Sequence, residues 1–469
     1  MTADALQVEC SYAPLWVKQD MKRFPRVCTE GDNGSIKIVN ALSPLSAESA
    51  KADANAFSKL MSHLKAVDSE HQTVLMVQVE NESGVLWDTR DRSSLAQTAF
   101  EGTVPADFLD KLRNNMNTFT TDLQNNLSFF RNKDGETRAE GSWESTFGKG
   151  QETDELFMAY HYSRYIETVA AAGKSAYAIP LFANAWLRNA APIGRPDDRP
   201  PYVVEVGNDP GVYPSGGPVE TVMDIWKINA PTLSFIAPDI YFSDYKDMCV
   251  AFRHKGQALF IPEQRRDELG CLYMWMAIGE YGAIGTAPFG IDSDTPTKSP
   301  FTFHYGLLAK VSQLILSART EGRQMTGFYF PRFEEGETDP ANAVETQMDG
   351  WALTIERSMV TGHPAPGFGI VINTRPYTFL LIGEGFQIKF RSLNPRSQFH
   401  SVHHFHEKEV VDVETGELAT LRKFNGDESR SHQVVIMPST DPQYGGFICS
   451  AFVPAETRIA ECEMYDIVN

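Results

Sequence analysis

Cysteine is scarce: six in 469 residues (Cys10, Cys28, Cys249, Cys271, Cys449 and Cys462), widely spaced and with no Cys-x-x-Cys pair. That spacing suits buried thiols and argues against a disulfide framework or a cysteine zinc site. Positive charge is short too. Lys+Arg number 42 against 61 Asp+Glu, a formal net charge of −19. So acidic a chain repels phosphate backbones, which excludes nucleic-acid binding as its main role. No run reaches the roughly 18 apolar residues that a membrane helix needs. The start, Met1-Thr2-Ala3-Asp4-Ala5, lacks the basic and apolar regions of a signal peptide. As written, the chain is expected inside the cell, and outside it only if its true start lies upstream. No Gly-x-Ser-x-Gly elbow supports a serine hydrolase. Ser215-Gly-Gly lacks the Lys and helix that a phosphate cradle requires.

What is present is ordinary globular protein, 42% hydrophobic and 22% charged. Its first three hundred residues alternate short apolar runs with helical patterns, as repeated βα units do. Strands are expected at 73–79, 177–183, 233–240, 257–262 and 281–288. Helical spacing after a Ser46 N-cap sets Phe57, Leu60, Met61 and Leu64 on one face. Helices are also expected over 154–172, stopped by Gly173, and over 305–318. Beyond about residue 325 the rhythm becomes short β runs broken by turn residues, at 369–373, 378–382, 386–390, 410–413, 433–437 and 447–452. The expected fold is therefore α/β plus all-β. A parallel barrel of βα units over residues 1–325 precedes a β-sandwich-like domain over 326–469.

One segment, Thr73-Val-Leu-Met-Val-Gln-Val-Glu-Asn-Glu-Ser-Gly84, carries the chemistry. Strand alternation puts Leu75, Val77 and Val79 on one face and Gln78, Glu80 and Glu82 on the other. A central strand that turns polar at its C-terminal end is unusual, and in a parallel barrel the catalytic loops sit at that end. Leu259-Phe-Ile-Pro-Glu263 is a second apolar strand ending in a carboxylate. Two such glutamates, about 5–5.5 Å apart, would suit glycoside cleavage with retention. One donates a proton to the leaving oxygen and the other attacks the anomeric carbon. Alternatively, both are strand-end glutamates held by backbone amides or arginines. Asn184 and Trp186, both candidates for binding substrate, end another strand, where the indole could stack on a pyranose or fill the rim. Trp87 and Trp143 are further aromatic candidates. His400, His403, His404 and His406 invite a metal reading. As a strand, however, the segment sets His403 opposite the other three, and a solvated strand is the simpler account.

Gln78-Val-Glu-Asn-Glu82 followed by Gly84 resembles the acid/base motif of glycoside hydrolase family 35, the β-galactosidases. Ser11-Tyr-Ala-Pro-Leu-Trp-Val-Lys, Asn184-Ala-Trp-Leu, Tyr213-Pro-Ser-Gly-Gly-Pro218, Pro238-Asp-Ile-Tyr241 and Pro288-Phe-Gly-Ile-Asp292 resemble the branch of that family with a β-rich C-terminal domain. The likeness covers about residues 11–330 and implies a (β/α)8 barrel. It implies Glu82 as acid/base, Asn81 as ligand of the sugar 2-hydroxyl, Glu263 as nucleophile, and Tyr241 as the tyrosine that hydrogen-bonds the nucleophile. The implied substrate is a β-galactoside or related β-glycoside, with no metal or organic cofactor and no nucleic-acid or membrane partner.

The family's barrel places three strands before the one that carries Glu82, yet only 72 residues precede Thr73. Strands one, two and most of three are therefore expected to be missing, with 6–9 as a remnant, and the barrel to be incomplete. The alternative function is a non-catalytic or vestigial sugar-binding protein that keeps both glutamates.

Overall fold

The computed structural model of the protein describes residues 12–31, 33–131, 135–189, 207–333, 338–358, 366–424, 426–429, 433–439 and 454–468. The expected remnant at 6–9, the strand at 447–452, Cys10 and Cys449 lie outside them. The chain divides into two compact units, Met1–Glu263 and Gln264–Asn469.

In the first unit, β1 (Arg26–Glu30) and β2 (Ile36–Leu42) form an antiparallel pair. Helix α1 (Ala47–Asp68) follows, and the Ser46 hydroxyl accepts the Ser49 amide at 3.1 Å, the N-cap read from sequence. Its buried stripe is Ala50, Ala54, Phe57 and Met61, whereas Leu60 is exposed. The stripe packs on helix α2 (Gln151–Ala176). Gly173 does not stop α2. A Cβ there would lie 2.2 Å from the Phe57 ring, so this glycine lets the two helices approach.

Four strands stand side by side in the order β3 (Val77–Gln78), β4 (Leu181–Trp186), β5 (Phe235–Ile240) and β6 (Phe260–Gln264). The β3–β4 and β4–β5 pairs are parallel. This is the curled sheet of a partial (β/α) barrel. β4 and β5 are buried almost throughout, as expected of a parallel strand covered on both faces. β3 is only two residues long, shorter than the apolar run from Thr73 suggested, and Leu75 is exposed.

The second unit opens with helix α3 (Glu268–Gly279), strand β7 (Gly285–Pro288) and helix α4 (Phe301–Thr320). Ten antiparallel strands follow: β8 (Met325–Phe330), β9 (Val344–Met348), β10 (Trp351–Arg357), β11 (Gly367–Arg375), β12 (Thr378–Glu384), β13 (Phe386–Ser392), β14 (Ser397–Asp412), β15 (Glu417–Lys423), β16 (Val434–Met437) and β17 (Ile459–Val468). One sheet runs β16-β13-β10-β9 and the other β15-β14-β17-β12-β11-β8. Trp351, Leu353, Phe386 and Ile388 of the first share one core with Phe328, Val371, Phe379 and Leu381 of the second. Alternating inward residues on two facing sheets make a sandwich. Helix α3 lies on β8 so closely that a Cβ at Gly327 would sit 2.3 Å from the Trp275 carbonyl oxygen. Gly327→Ala should therefore destabilise the second unit by about 1–3 kcal/mol through overpacking. Calorimetry would show a lowered midpoint for that unit, and an unshifted one would mean that the helix gives way freely.

Candidate active site

The first unit's sheet carries its polar groups at the C-terminal ends of the strands. Alternation puts Phe182, Asn184 and Trp186 on one face of β4, and Phe235, Ala237, Asp239 and Tyr241 on the same face of β5 and the residue after it. Stacking of Phe182 on Phe235, with ring centroids 5.2 Å apart, anchors that face. Phe260 of β6 joins the cluster edge-on at 5.4 Å. Strict alternation would then turn Glu263 away. Instead the buried positions run Leu259, Ile261 and then Gln264, so the pattern slips by one at Pro262–Glu263 and Glu263 faces Tyr241.

A second departure from alternation occurs after β3. Glu80 and Glu82 both adopt left-handed backbone conformations, φ 60° and 42°, which are uncommon for residues with a Cβ and concentrate at functional sites. Sequence parity put the two glutamates together; the backbone separates them. Glu80 is buried and hydrogen-bonds Asp53, which also accepts the Tyr165 hydroxyl at 3.2 Å. Glu82 turns instead toward Asp239 and Glu263. Gly84 (φ 156°) completes the turn. A Cβ there would lie 2.4 Å from Pro214, and one at Gly217 would lie 2.6 Å from the Ser83 oxygen. Reciprocal Val85–Ser215 amide bonds of 3.0 and 2.8 Å hold the two segments together.

One carboxyl oxygen from each of Glu82, Asp239 and Glu263 lies within 4.8 Å of the other two. Asn184 joins the strand ends. Its Oδ1 accepts the Glu82 amide at 2.9 Å, and its Nδ2 donates to Asn81 Oδ1 at 2.8 Å and to Asp239 Oδ2 at 2.7 Å. Gln78 Nε2 also donates to Asn81 Oδ1, at 3.0 Å. The Tyr241 hydroxyl donates to Glu263 Oε2 at 2.7 Å. Trp186, half-buried, stands opposite Asp239 in the β4–β5 register.

Crowding of three acids sets their charges. Burial and the adjacent Glu263 push Glu82 up to about 7, against the opposing effect of its hydrogen bond with Asp239. Burial raises Glu263 as well, while the Tyr241 hydroxyl bond works the other way. Asp239, fully buried beside both glutamates, lies well above the ordinary carboxylate range.

Asp239 is the member of the cluster that sequence reading did not single out. Its signal was Pro238-Asp-Ile-Tyr241, where Asp239 shares parity with Tyr241. Trp143 belongs to the interior instead. It is fully buried among Phe108, Phe147, Phe157 and Tyr160 and has no surface to offer a ligand. Trp87 is about half exposed.

Among the described residues, two groups have the composition to hold a metal: Glu82, Asp239 and Glu263, and, in the second unit, His403, His404 and Glu463. The four histidines do lie on one strand, β14. Its register against β17 shifts between Val402 and His404, however, so His403 and His404 come together instead of opposing each other. Arg375 and Lys408 already pair with the glutamates beside them.

The profile of a domain of unknown function, DUF5597, matches residues 301–436. No curated protein matches the chain. Solved structures similar to the chain include glycoside hydrolases. The β-galactosidase of the psychrophilic Marinomonas ef1 is 13% identical over 59% of this chain and 42% of its own, with a TM-score of 0.33. That of Bacillus circulans sp. alkalophilus is 14% identical over 59% and 38%, also at 0.33. The catalytic domain of the Paenibacillus polymyxa β-amylase is 12% identical over 61% and 72%, at 0.37. The chain thus spans about two fifths of the two β-galactosidases, and at these scores the likeness carries no argument about chemistry.

Between the ordinary glutamate value of 4.5 and about 7, folded Glu82 binds more protons than unfolded Glu82. Its contribution to stability therefore falls as pH rises through that window. Glu82→Gln removes the ionisation. The substitution should raise the thermal midpoint at about pH 8 by more than at about pH 4. An equal change at both would show that charge on Glu82 costs the fold nothing.

Proposed function

We propose that the protein is a retaining β-glycosidase acting on terminal β-linked sugars, a β-galactosidase of the family 35 type. The observation that carries this reading is the approach of Glu82 and Glu263. Oxygens within 4.8 Å fit the short carboxyl separation of a double displacement, whereas an inverting enzyme keeps its pair about 6.5–9.5 Å apart to admit a water.

Glu263 attacks the anomeric carbon as the glycosidic bond breaks, and Glu82 passes its proton to the departing oxygen. Water then attacks the same carbon, its proton goes to Glu82, and the bond to Glu263 breaks. A Glu82 poised near 7 can serve as acid and then as base. The Tyr241 hydroxyl orients the nucleophile and favours its ionised form. Asn81 already accepts through Oδ1 from Gln78 and Asn184, which leaves its Nδ2 to donate to the sugar 2-hydroxyl. Asn184, whose amide is taken up by three protein bonds, acts by holding Asn81, Glu82 and Asp239 in place. Trp186 offers its ring to the pyranose. This scheme calls for no metal or organic cofactor.

Nitrophenyl β-galactoside hydrolysis tests the proposal. Glu263→Ala should lower kcat/KM by about a thousandfold or more, and Glu82→Ala should lower kcat by about a hundredfold or more through slow hydrolysis of the glycosyl-enzyme, with folding retained in both. Azide should restore turnover in Glu82→Ala, which still forms the glycosyl-enzyme, and yield the β-galactosyl azide. Unimpaired hydrolysis by either variant would refute the roles. Sugar binding without turnover by the wild-type chain would select the sugar-binding alternative. The rate should also fall as pH rises through about 7, where Glu82 loses the proton that the first step needs. A flat profile on that side would separate Glu82 from acid catalysis.

A further inference from the structure

Asp239 poses a hydrogen-bonding problem that the two-glutamate mechanism leaves open. Its carboxyl group is fully buried. Oδ2 accepts from Asn184 Nδ2 at 2.7 Å, but no N–H or O–H of the described residues reaches Oδ1. What stands within hydrogen-bonding reach of the Asp239 carboxyl is that of Glu82. Two carboxylates cannot hydrogen-bond without a proton between them. A buried acid oxygen with no donor of its own is best satisfied by carrying that proton.

The titratable groups around Asp239 are Glu82 after β3, Glu263 on β6 and Tyr241 after β5. The Tyr241 hydroxyl is engaged by Glu263. Glu82 is partly exposed and Asp239 is buried, so desolvation favours the proton on Asp239.

From this geometry we infer that Asp239 is a positioning residue: it stays protonated through Oδ1 and donates that hydrogen bond to Glu82. The inference rests on the glycosidase reading for its catalytic meaning, though not for the protonation itself. Glu82 carries a separate proton in the resting acid. When that proton leaves with the departing sugar oxygen, the Asp239 O–H receives the new carboxylate and aims it. The bond persists until attacking water returns a proton to Glu82. Asp239 gives up no proton in the cycle, so every bond and charge of the double displacement balances as before.

Asp239→Asn mimics the protonated acid, because its amide nitrogen can donate to Glu82 while its oxygen accepts from Asn184. Asp239→Ala removes the donor. The expected result is a kcat for Asp239→Asn at least about tenfold above that of Asp239→Ala. The alkaline limb of the profile should stay within about half a pH unit of wild type in Asp239→Asn and move upward in Asp239→Ala, where the Glu82 carboxylate has lost its donor. If Asp239 were ionised, both substitutions would delete a repelling charge and move that limb downward, which would overturn the inference. Equal losses in the two variants with an unmoved limb would also overturn it, by reducing Asp239 to a packing residue.

A second measurement needs no activity. In aspartate carboxyl-13C-labelled protein, the resonance missing from Asp239→Asn should keep a protonated shift from about pH 5 to about pH 8. Titration near the ordinary aspartate value, or a shift on adding millimolar calcium that marks a cation site, would refute the inference. An inactive wild-type chain would defeat the glycosidase reading alone, since the resonance still reports the proton.

Discussion

Three carboxyl groups, each with an oxygen within 4.8 Å of the other two, cannot all be ionised in a site that is largely removed from water. That constraint organises the first unit. It fixes which acid keeps a proton, and it explains why neutral donors crowd the cluster: Asn184 beneath Asp239 and the Tyr241 hydroxyl on Glu263. It also separates two acids that the chain places close together. Glu80 is drawn off toward Asp53 and Tyr165, while Glu82 is left facing Asp239 and Glu263. The strain of two left-handed residues around Asn81 is the backbone's contribution to that separation.

The scaffold meets this constraint with modest means. One aromatic stack, Phe182 on Phe235, sets the register of the face on which Asn184, Trp186, Asp239 and Tyr241 stand. A single side-chain amide, that of Asn184, then ties the end of β5 to the turn after β3. Groups held through a few saturated hydrogen bonds keep their geometry better than groups on free loops, as preorganised chemistry requires. Trp143, by contrast, serves the interior alone, where it packs with Phe108 and Phe157 against α2.

Much of this was legible in the sequence, for identifiable reasons. Apolar runs of strand length located β4, β5 and β6, and 3.6-residue spacing located α1 and α2, because burial imposes those periods directly. The Ser46 cap was legible because its chemistry is local. What escaped were the departures from periodicity. The slip at Pro262–Glu263, the left-handed Glu80 and Glu82, and the register shift that brings His403 to His404 are each one-residue events that tertiary contacts stabilise and no propensity announces. Gly173 misled for a similar reason. Glycine after a helical run usually signals an end, but here it clears space for Phe57. Asp239 was visible only as a parity partner of Tyr241, since its importance arises from a neighbour 157 positions earlier, Glu82.

Gly84 and Gly217 have one more consequence. Each leaves no room for a side chain against the opposite segment, and the Val85–Ser215 ladder closes the gap between them. The main chain just after Glu82 is therefore clamped, with its own amide fixed by Asn184. A carboxyl group mounted on so rigid a stem can travel only by torsion about its side-chain bonds. Reach for this acid is an arc of fixed radius, and a ligand has to bring its reacting oxygen onto that arc.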